Sequence, residues 1–206
     1  MYNIDINSLY AVIIKSEYIK KTGWLSSILQ EKVIDAEGDP IPWFTYPAID
    51  LLNERVKSSF TVFEYGCGFG TLWWANRVKR ITIVEHNIDW YRKMSAVFPK
   101  NVRGIFRELE YGGDYSKTIE DLLPIKFDVI VIDGRDRINC CKHAIKCLSD
   151  SGIIILDNSN RKEYVVGRQF LKENGFRELQ LFGLTPMITD ENSTSFFYKE
   201  KNCLDL

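Results

Sequence analysis

The sequence has no excess of charge of either sign and no long apolar run. Its 206 residues include 27 basic and 28 acidic side chains, for a net charge of −1. Without excess positive charge there is no overall field to attract a polyanion, so we expect no nucleic-acid partner. The apolar stretch at residues 9–14 is far shorter than the roughly 18 residues that a membrane span needs. No export signal is recognisable, so we expect a cytoplasmic protein without a membrane partner.

Paired cysteine motifs are also missing. The five cysteines are odd in number, and none forms a Cys-x-x-Cys pair. This pattern argues against both a disulfide framework and a zinc cluster, and it favours reduced thiols. The cysteines are Cys67, Cys140, Cys141, Cys147 and Cys203.

Two common nucleotide signatures are absent from the one glycine-rich turn of the chain. Gly66, Gly68 and Gly70 alternate, and Thr71 stands where the dinucleotide fingerprint requires its third glycine. A phosphate-binding Gly-Lys-Ser/Thr ending is missing too. What remains is an apolar strand that ends in Glu64, the three glycines and a helix-like segment. Glycines let a ligand approach the backbone, and the helix start attracts anions, so we predict a nucleotide pocket here.

A second apolar strand ends in Glu85 and His86, about 20 residues after the first glycine. At this spacing a carboxylate reaches the hydroxyl groups of a bound ribose. Glu85 is therefore the predicted ribose acceptor. A dinucleotide site and a purely structural tight turn are the alternatives.

An acid followed by Gly-x-Gly-x-Gly resembles the first motif of class I S-adenosylmethionine-dependent methyltransferases. The chain also resembles a bacterial family of small methyltransferase-like proteins, through Trp-x-Thr-Tyr-Pro-Ala-Ile at 43–49, Phe-Glu-Tyr-Gly at 63–66 with Thr-Leu-Trp-Trp-Ala at 71–75, and Ile-Asp-Gly-Arg-Asp-Arg at 132–137. The resemblance implies a class I fold and S-adenosylmethionine as cofactor. The residues assigned to that cofactor are Tyr46, Glu64, Gly66, Cys67, Gly68, Gly70, Glu85, His86 and Asp133.

The order of apolar runs predicts an α/β chain with a Rossmann-like, doubly wound sheet. Residues 1–45 form a helical extension, with helices at 7–20 and 24–34, and residues 46–206 form the methyltransferase-like domain. Parallel strands are expected near 61–65, 80–85, 102–107, 127–133 and 151–157. The intervening helices are expected near 70–78, 88–98, 115–123, 137–149 and 160–174. Strands at 178–184 and 194–199 then add an antiparallel hairpin, for seven strands in all.

Acidic side chains follow two neighbouring strands of this sheet, Asp133 after one and Asp157 with Asn158 after the other. These three positions resemble the metal ligands of catechol and caffeoyl-coenzyme A O-methyltransferases, which implies Mg²⁺ or another divalent cation. The lysine segment of those enzymes is replaced here by Gly134 and Arg135. The alternatives are that Arg135 supplies the cation, or that Asp157 caps the next helix.

Methyl transfer to oxygen needs a base, for which Asp133, Asp136 and His143 are candidates. Arg135 and Arg137 are predicted to bind an anionic substrate group, or else to pair with nearby acids. We therefore expect a methyltransferase that modifies a small-molecule or glycan-like acceptor at oxygen. A dinucleotide-dependent oxidoreductase and a non-catalytic interaction protein are the alternatives, and a homodimer through the N-terminal helices is predicted.

Overall fold

Seven strands form one mixed sheet in a computed structural model that describes residues 5, 11 and 13–206. The spatial order of the strands is β3-β2-β1-β4-β5-β7-β6. In chain order they are β1 (Thr61–Tyr65), β2 (Arg80–Glu85), β3 (Val102–Phe106), β4 (Phe127–Ile132), β5 (Leu148–Asp157), β6 (Arg177–Thr185) and β7 (Ile188–Tyr198).

The first five strands are parallel, and β7 runs antiparallel between β5 and β6. The predicted seven-stranded sheet with its C-terminal hairpin is therefore confirmed. The hairpin differs in detail, because β7 begins at Ile188 and not near 194. A tight turn at Pro186 and Met187, with Met187 at φ +66°, replaces the longer connection expected between strands at 178–184 and 194–199. Residues 189–191 are exposed strand residues at an irregularity between the paired positions Ile188 and Asn192, where the register with β6 shifts.

Eight α-helices of the described part of the chain accompany the sheet. They are α1 (Glu17–Thr22), α2 (Trp24–Gln30), α3 (Tyr46–Arg55), α4 (Phe69–Ala75), α5 (Ile88–Ser95), α6 (Asp114–Lys117), α7 (Arg137–Cys147) and α8 (Val165–Glu173). The helix predicted at 115–123 is shorter than expected, since α6 has four residues and a 3-10 turn (Glu120–Leu122) follows before Pro124. Another 3-10 turn (Lys162–Tyr164) precedes α8, in the segment where a helix from 160 is predicted.

The sheet is buried on both faces by two apolar clusters. Val62, Ile81 and Val131 belong to the cluster that also contains Trp73 and Trp74. Alternate residues of the same strands face the opposite cluster, where α7 contributes Cys140, Cys141, Ala144 and Cys147. Strands covered on both faces are continuous apolar runs, which is why the sequence reveals them. The polar residues at their carboxyl ends are left at one edge.

The N-terminal extension packs on the turn of the β6–β7 hairpin. The Trp24 indole donates to the Ile188 carbonyl at 3.0 Å, and the Met187 amide donates to Ser27 Oγ at 2.9 Å. The helix predicted to reach residue 34 ends at Gln30, because Glu31 adopts φ +50°. Residues 7–10 and 12 of the helix predicted at 7–20 lie outside the described residues, and Ser16 caps a new helix, α1, within the predicted range. The homodimer through these helices stays a prediction.

No helix in the described ranges is long and apolar enough to cross a lipid bilayer.

Candidate functional site

A cavity of about 660 Å³ opens at the carboxyl ends of the parallel strands. This is the edge at which open α/β sheets bind their ligands. Its floor consists of the glycine turn and of polar residues that follow β2, β4 and β5. Its cover comes from the extension and from the hairpin turn, through Lys32, Val33, Pro42, Trp43, Phe44, Met187 and Ile188. Residues assigned to the extension therefore form part of the site.

The glycine turn is shaped by two close backbone approaches. Gly66 has φ +95°, and a Cβ there would lie 3.2 Å from Cα of Gly134. At Gly134 a Cβ would lie 2.0 Å from the Tyr115 hydroxyl and 3.0 Å from the Gly66 amide nitrogen. Gly68 differs, since its backbone is extended and a Cβ there would meet nothing within 4 Å. Gly68 lines the cavity, so its missing side chain leaves space for a ligand against the backbone.

Glu64 is buried directly beneath this turn. Its Oε2 accepts a hydrogen bond from the Thr71 hydroxyl, and Thr71 Oγ1 in turn accepts the Gly68 amide at 3.0 Å. Burial raises the pKa of Glu64 to about 8, since a charged carboxylate is poorly solvated there. Thr71, the residue that breaks the dinucleotide fingerprint, therefore links the acid to the glycine turn.

Glu85 lies at the end of β2, with its side chain 5% exposed. Its Oε1 accepts the amides of His86 and Asn87, both at 2.8 Å, and its Oε2 accepts the Cys67 amide at 3.2 Å. A carboxylate offers about four acceptor positions, so about one remains for a ligand hydroxyl. Glu85 is thus both a turn anchor and a candidate ligand group.

Trp90 is a cavity residue that the sequence analysis missed. Its indole donates to the Cys67 carbonyl at 2.7 Å, which ties helix α5 to the glycine turn. Asn87 accepts the Trp90 amide as the N-cap of α5, and this capping pattern was a signal available in the sequence. His86 lines the cavity and packs edge-on against Tyr115. Burial raises the pKa of Cys67, so its thiol stays protonated.

Arg137 occupies the space between the two acidic strand ends. Its guanidinium donates to Asp133 Oδ1 at 2.9 Å and to the carbonyls of Asp133, Gly134 and Asp157. In the described residues no group of three or more His, Cys, Asp or Glu side chains is arranged to hold a metal ion. The predicted metal set of Asp133, Asp157 and Asn158 thus has no support, and the cation at this place is Arg137 rather than Arg135.

Asp133 and Asp157 both line the cavity, and burial raises the pKa of each. For Asp157 the pKa reaches about 8, with the nearby charge of Asp133 as a further cause. Asp157 accepts the Thr194 hydroxyl at 2.6 Å, and Thr194 accepts the Thr45 amide at 3.1 Å. Asp133 keeps Oδ2 free of the hydrogen bond that holds Oδ1, and 31% of its side chain is exposed. It is the carboxylate with an oxygen available to a ligand.

Three predicted site residues lie outside this cavity. Asp136, at φ +50°, accepts the Gly112 amide at 2.7 Å and the Asn139 amide group at 2.8 Å. His143 pairs with Glu120 on the outer side of α7. Tyr46 is buried and lines a second cavity of about 290 Å³. The structure brings together the other predicted residues, namely Glu64, Gly66, Cys67, Gly68, Gly70, Glu85, His86, Asp133, Arg135, Arg137, Asp157 and Asn158.

No protein-family model and no curated protein matches the sequence. Solved structures do match. The cofactor-bound protein Rv0187 from MTB aligns over 98% of this chain and 100% of its own, with a TM-score of 0.58 and 14% identity. The O-methyltransferase TomG from Streptomyces achromogenes, solved in complex with SAM, aligns over 72% of this chain and 77% of its own, with a TM-score of 0.57 and 15% identity.

A third match, precorrin 8w decarboxylase from Methanobacterium thermoautotrophicum, covers 82% of this chain and 97% of its own, with a TM-score of 0.55 and 17% identity. At such identities the likeness shows the fold. The seven-stranded sheet with an antiparallel β7 between β5 and β6 is the Rossmann-like fold of class I S-adenosylmethionine-dependent methyltransferases, as predicted.

Proposed function

We propose that the protein is an S-adenosylmethionine-dependent methyltransferase that modifies an oxygen atom of a small-molecule or glycan-like acceptor. The observation that carries the proposal is the open side of Gly68. Its backbone faces free cavity volume, with the carboxylate of Glu85 held nearby through the Cys67 amide. That pairing suits a nucleoside whose ribose reaches the acid while its remainder lies along the turn.

The residues present fit this cofactor. A cavity of about 660 Å³ lies within the range of roughly 300–1,000 Å³ that is typical of small-molecule sites. Glu85 has an acceptor position left for a ribose hydroxyl. Glu64 lies beneath the turn and is linked to the Gly68 amide through the Thr71 hydroxyl, so it supports the backbone on which the cofactor would lie. Arg137 fills the position between the acidic strand ends, so the proposal includes no metal ion.

When bound, S-adenosylmethionine would supply a methyl group on a sulfonium, and its sulfur would keep the electron pair of the S–CH₃ bond as the acceptor oxygen takes the methyl. The protein must hold the acceptor hydroxyl in line with that bond, and such alignment can contribute on the order of 7 kcal/mol. The hydroxyl also loses a proton. Asp133 is the proposed base, since it faces the cavity with Oδ2 free and burial raises its pKa.

Calorimetry with S-adenosylhomocysteine and with NAD tests the cofactor assignment. We expect the first compound to bind and the second not to bind. Gly68→Val places a branched side chain in the open space and should weaken S-adenosylhomocysteine binding at least about a hundredfold, or about 3 kcal/mol. Ala96→Val, which adds similar bulk at an exposed position outside the cavity, is the matched control.

The proposal fails if the unmodified protein binds NAD in preference, or binds neither compound. Unchanged affinity in Gly68→Val, with the fold verified by circular dichroism, would exclude the glycine turn as the site. Transfer of a labelled methyl group from S-adenosylmethionine to pooled metabolites and sugars then tests turnover. Binding without transfer to any acceptor would favour the non-catalytic alternative.

A further inference from the structure

The carboxylates of the cavity floor are already engaged within the protein. Glu64 accepts from Thr71, and Glu85 accepts three backbone amides. Asp157 accepts from a threonine hydroxyl, and Asp133 is paired with an arginine. At the rim, the exposed Glu31 adds one further carboxylate. Most of the negative charge of the floor is therefore already compensated within the protein.

Apart from Arg137, the cations of the same cavity are in the opposite state. Arg137 is 4% exposed and is fully used by its bonds to the strand ends. Arg135 and Arg161 also line the cavity and are exposed, and within residues 13–206 neither guanidinium has a hydrogen-bond or ion-pair partner. The exposed Lys32 of the extension lines the cavity as well. The unsatisfied charge of the cavity is therefore mainly positive.

Both free arginines are carried by ordered backbone. Arg161 ends a turn in which its amide donates to the Asn158 carbonyl at 3.0 Å, with Asn158 at φ +52°. Arg135 lies between Gly134, which is packed against Gly66, and the start of α7. Both arginines line the same cavity as Asp133, the proposed base, and the charge of each lowers the pKa of that carboxyl. The backbone position of each arginine is therefore well defined, and each guanidinium is available to bind a ligand.

We propose that Arg135 and Arg161 form an oxyanion-binding pair that holds a carboxylate or phosphate of the methyl acceptor beside the hydroxyl to be modified. The inference rests on the proposed methyltransferase function and names the acceptor class, which is a hydroxylated acid or a phosphorylated sugar. Guanidinium groups suit both anions, because their parallel N–H donors match two oxygens of either group.

The cofactor itself carries a carboxylate, which is a second source of the same chemistry. The two sources differ in which ligand loses affinity when an arginine is removed. If the pair serves the acceptor, Arg135→Gln and Arg161→Gln leave the affinity for S-adenosylhomocysteine within about twofold. If it serves the cofactor, that affinity falls instead. Gln keeps much of the side-chain length and removes the charge.

The test is an NMR titration of the S-adenosylhomocysteine complex with three compounds of related shape, which are glucose, glucuronate and glucose 6-phosphate. Ionic strength is held constant. We expect glucuronate or glucose 6-phosphate to bind at least about tenfold more tightly than glucose. Each single arginine variant should remove about tenfold of that affinity. Arg103→Gln, at an exposed position on β3 outside the cavity, is the matched control and should change nothing.

Three outcomes overturn the pair as an acceptor site. One is that the charged sugars bind no more tightly than glucose, or that none of the three sugars binds. Another is preferential binding of the charged sugars that persists in Arg135→Gln and Arg161→Gln. The third is loss of S-adenosylhomocysteine affinity in these variants, which reassigns the pair to the cofactor. If the unmodified protein does not bind S-adenosylhomocysteine at all, the methyltransferase proposal has failed first, and the two failures are thereby distinguished.

Discussion

The floor and the cover of the cavity are built in different ways. The floor comprises the glycine turn with the residues that follow β2, β4 and β5, and its polar groups bond mostly to one another or to nearby backbone. The cover comprises residues 31–33, 42–44 and 187–188. Its bonds join residues distant in sequence, such as Trp43 to Pro186 across 143 positions and Ser27 to Met187 across 160.

This difference suggests that the floor and the cover serve different parts of the proposed function, namely cofactor binding and acceptor binding. The floor is held mainly by hydrogen bonds among its own residues, and under the proposed function it binds the cofactor. The cover is assembled from the extension and the hairpin turn, and it places Trp43, Phe44 and Met187 opposite the floor. We therefore expect changes in the floor to affect folding and cofactor binding, and changes in the cover to affect the acceptor. The predictions below test that division, from the largest effect to the smallest.

Arg137→Met should have the largest effect, because it removes the cation that bridges the ends of β4 and β5. Asp133 and Asp157 would lose their compensating charge, and breaking a buried ion pair typically costs about 3–5 kcal/mol. Urea denaturation measures the loss. Arg92→Met is the control, since Arg92 is exposed and pairs with Asp89 at 3.8 Å. Equal stability of the two variants would show that Arg137 does not hold the floor together.

The floor should also lose stability as pH rises. Glu64 titrates near its ordinary 4.5 when unfolded and near 8 when folded, so between these values the folded state binds the extra proton. The stability contributed by this group is fully present below about pH 4.5 and is lost as pH rises through 8; between pH 5 and pH 8 the loss is on the order of 3 kcal/mol. Asp157 acts in the same direction, since its pKa is also raised to about 8.

Glu64→Gln, which cannot ionise, tests this pH dependence. Urea denaturation between pH 5 and pH 8, without added ligand, should show a shallower decline in this variant than in the unmodified protein. The part that remains belongs to Asp157. Identical slopes in the two proteins would mean that Glu64 is ionised throughout and that its burial is better compensated than its surroundings suggest.

Gly134→Ala tests the close packing of the two turns in the floor. The new methyl group would lie 2.0 Å from the Tyr115 hydroxyl, and overpacking of this kind costs about 1–3 kcal/mol. Tyr115→Phe removes that hydroxyl, so the double variant should recover part of the loss. The contact with the Gly66 amide at 3.0 Å remains in it. Full stability of Gly134→Ala alone would contradict the packing described.

Most of the sheet was predictable from the sequence, because buried parallel strands are apolar runs with an acid or glycine at the end. Glu64, Glu85 and Asp133 are such residues, and all three line the cavity. The start of β7 was not predictable in the same way. Residues 189–191 are polar and exposed, and they lie at an irregularity between Ile188 and Asn192, the two positions that pair with β6.

The residues of the site that sequence reasoning missed depend on contacts distant in the chain or on local backbone geometry. Trp43 and Arg161 line the cavity, yet the sequence analysis assigned their neighbours Tyr46 and Asn158 to the site and not these two residues themselves. Asp136 and His143 have helical spacing, but that spacing does not show what packs beside them. The spacing also does not show which of Arg135 and Arg137 is buried. In the structure Arg137 is the buried one, and Asp136, at φ +50°, separates the two at the start of α7.

A matched pair of tryptophan substitutions gives the smallest effects and the sharpest comparison. Trp90→Phe removes the indole bond to the Cys67 carbonyl in the floor, and Trp43→Phe removes the one to the Pro186 carbonyl in the cover. Each loses one hydrogen bond, worth about 1 kcal/mol. Calorimetry should show weaker S-adenosylhomocysteine binding in Trp90→Phe, by about fivefold, and unchanged binding in Trp43→Phe. If both variants lose the same affinity, the cover takes part in holding the cofactor, and the division between floor and cover is wrong.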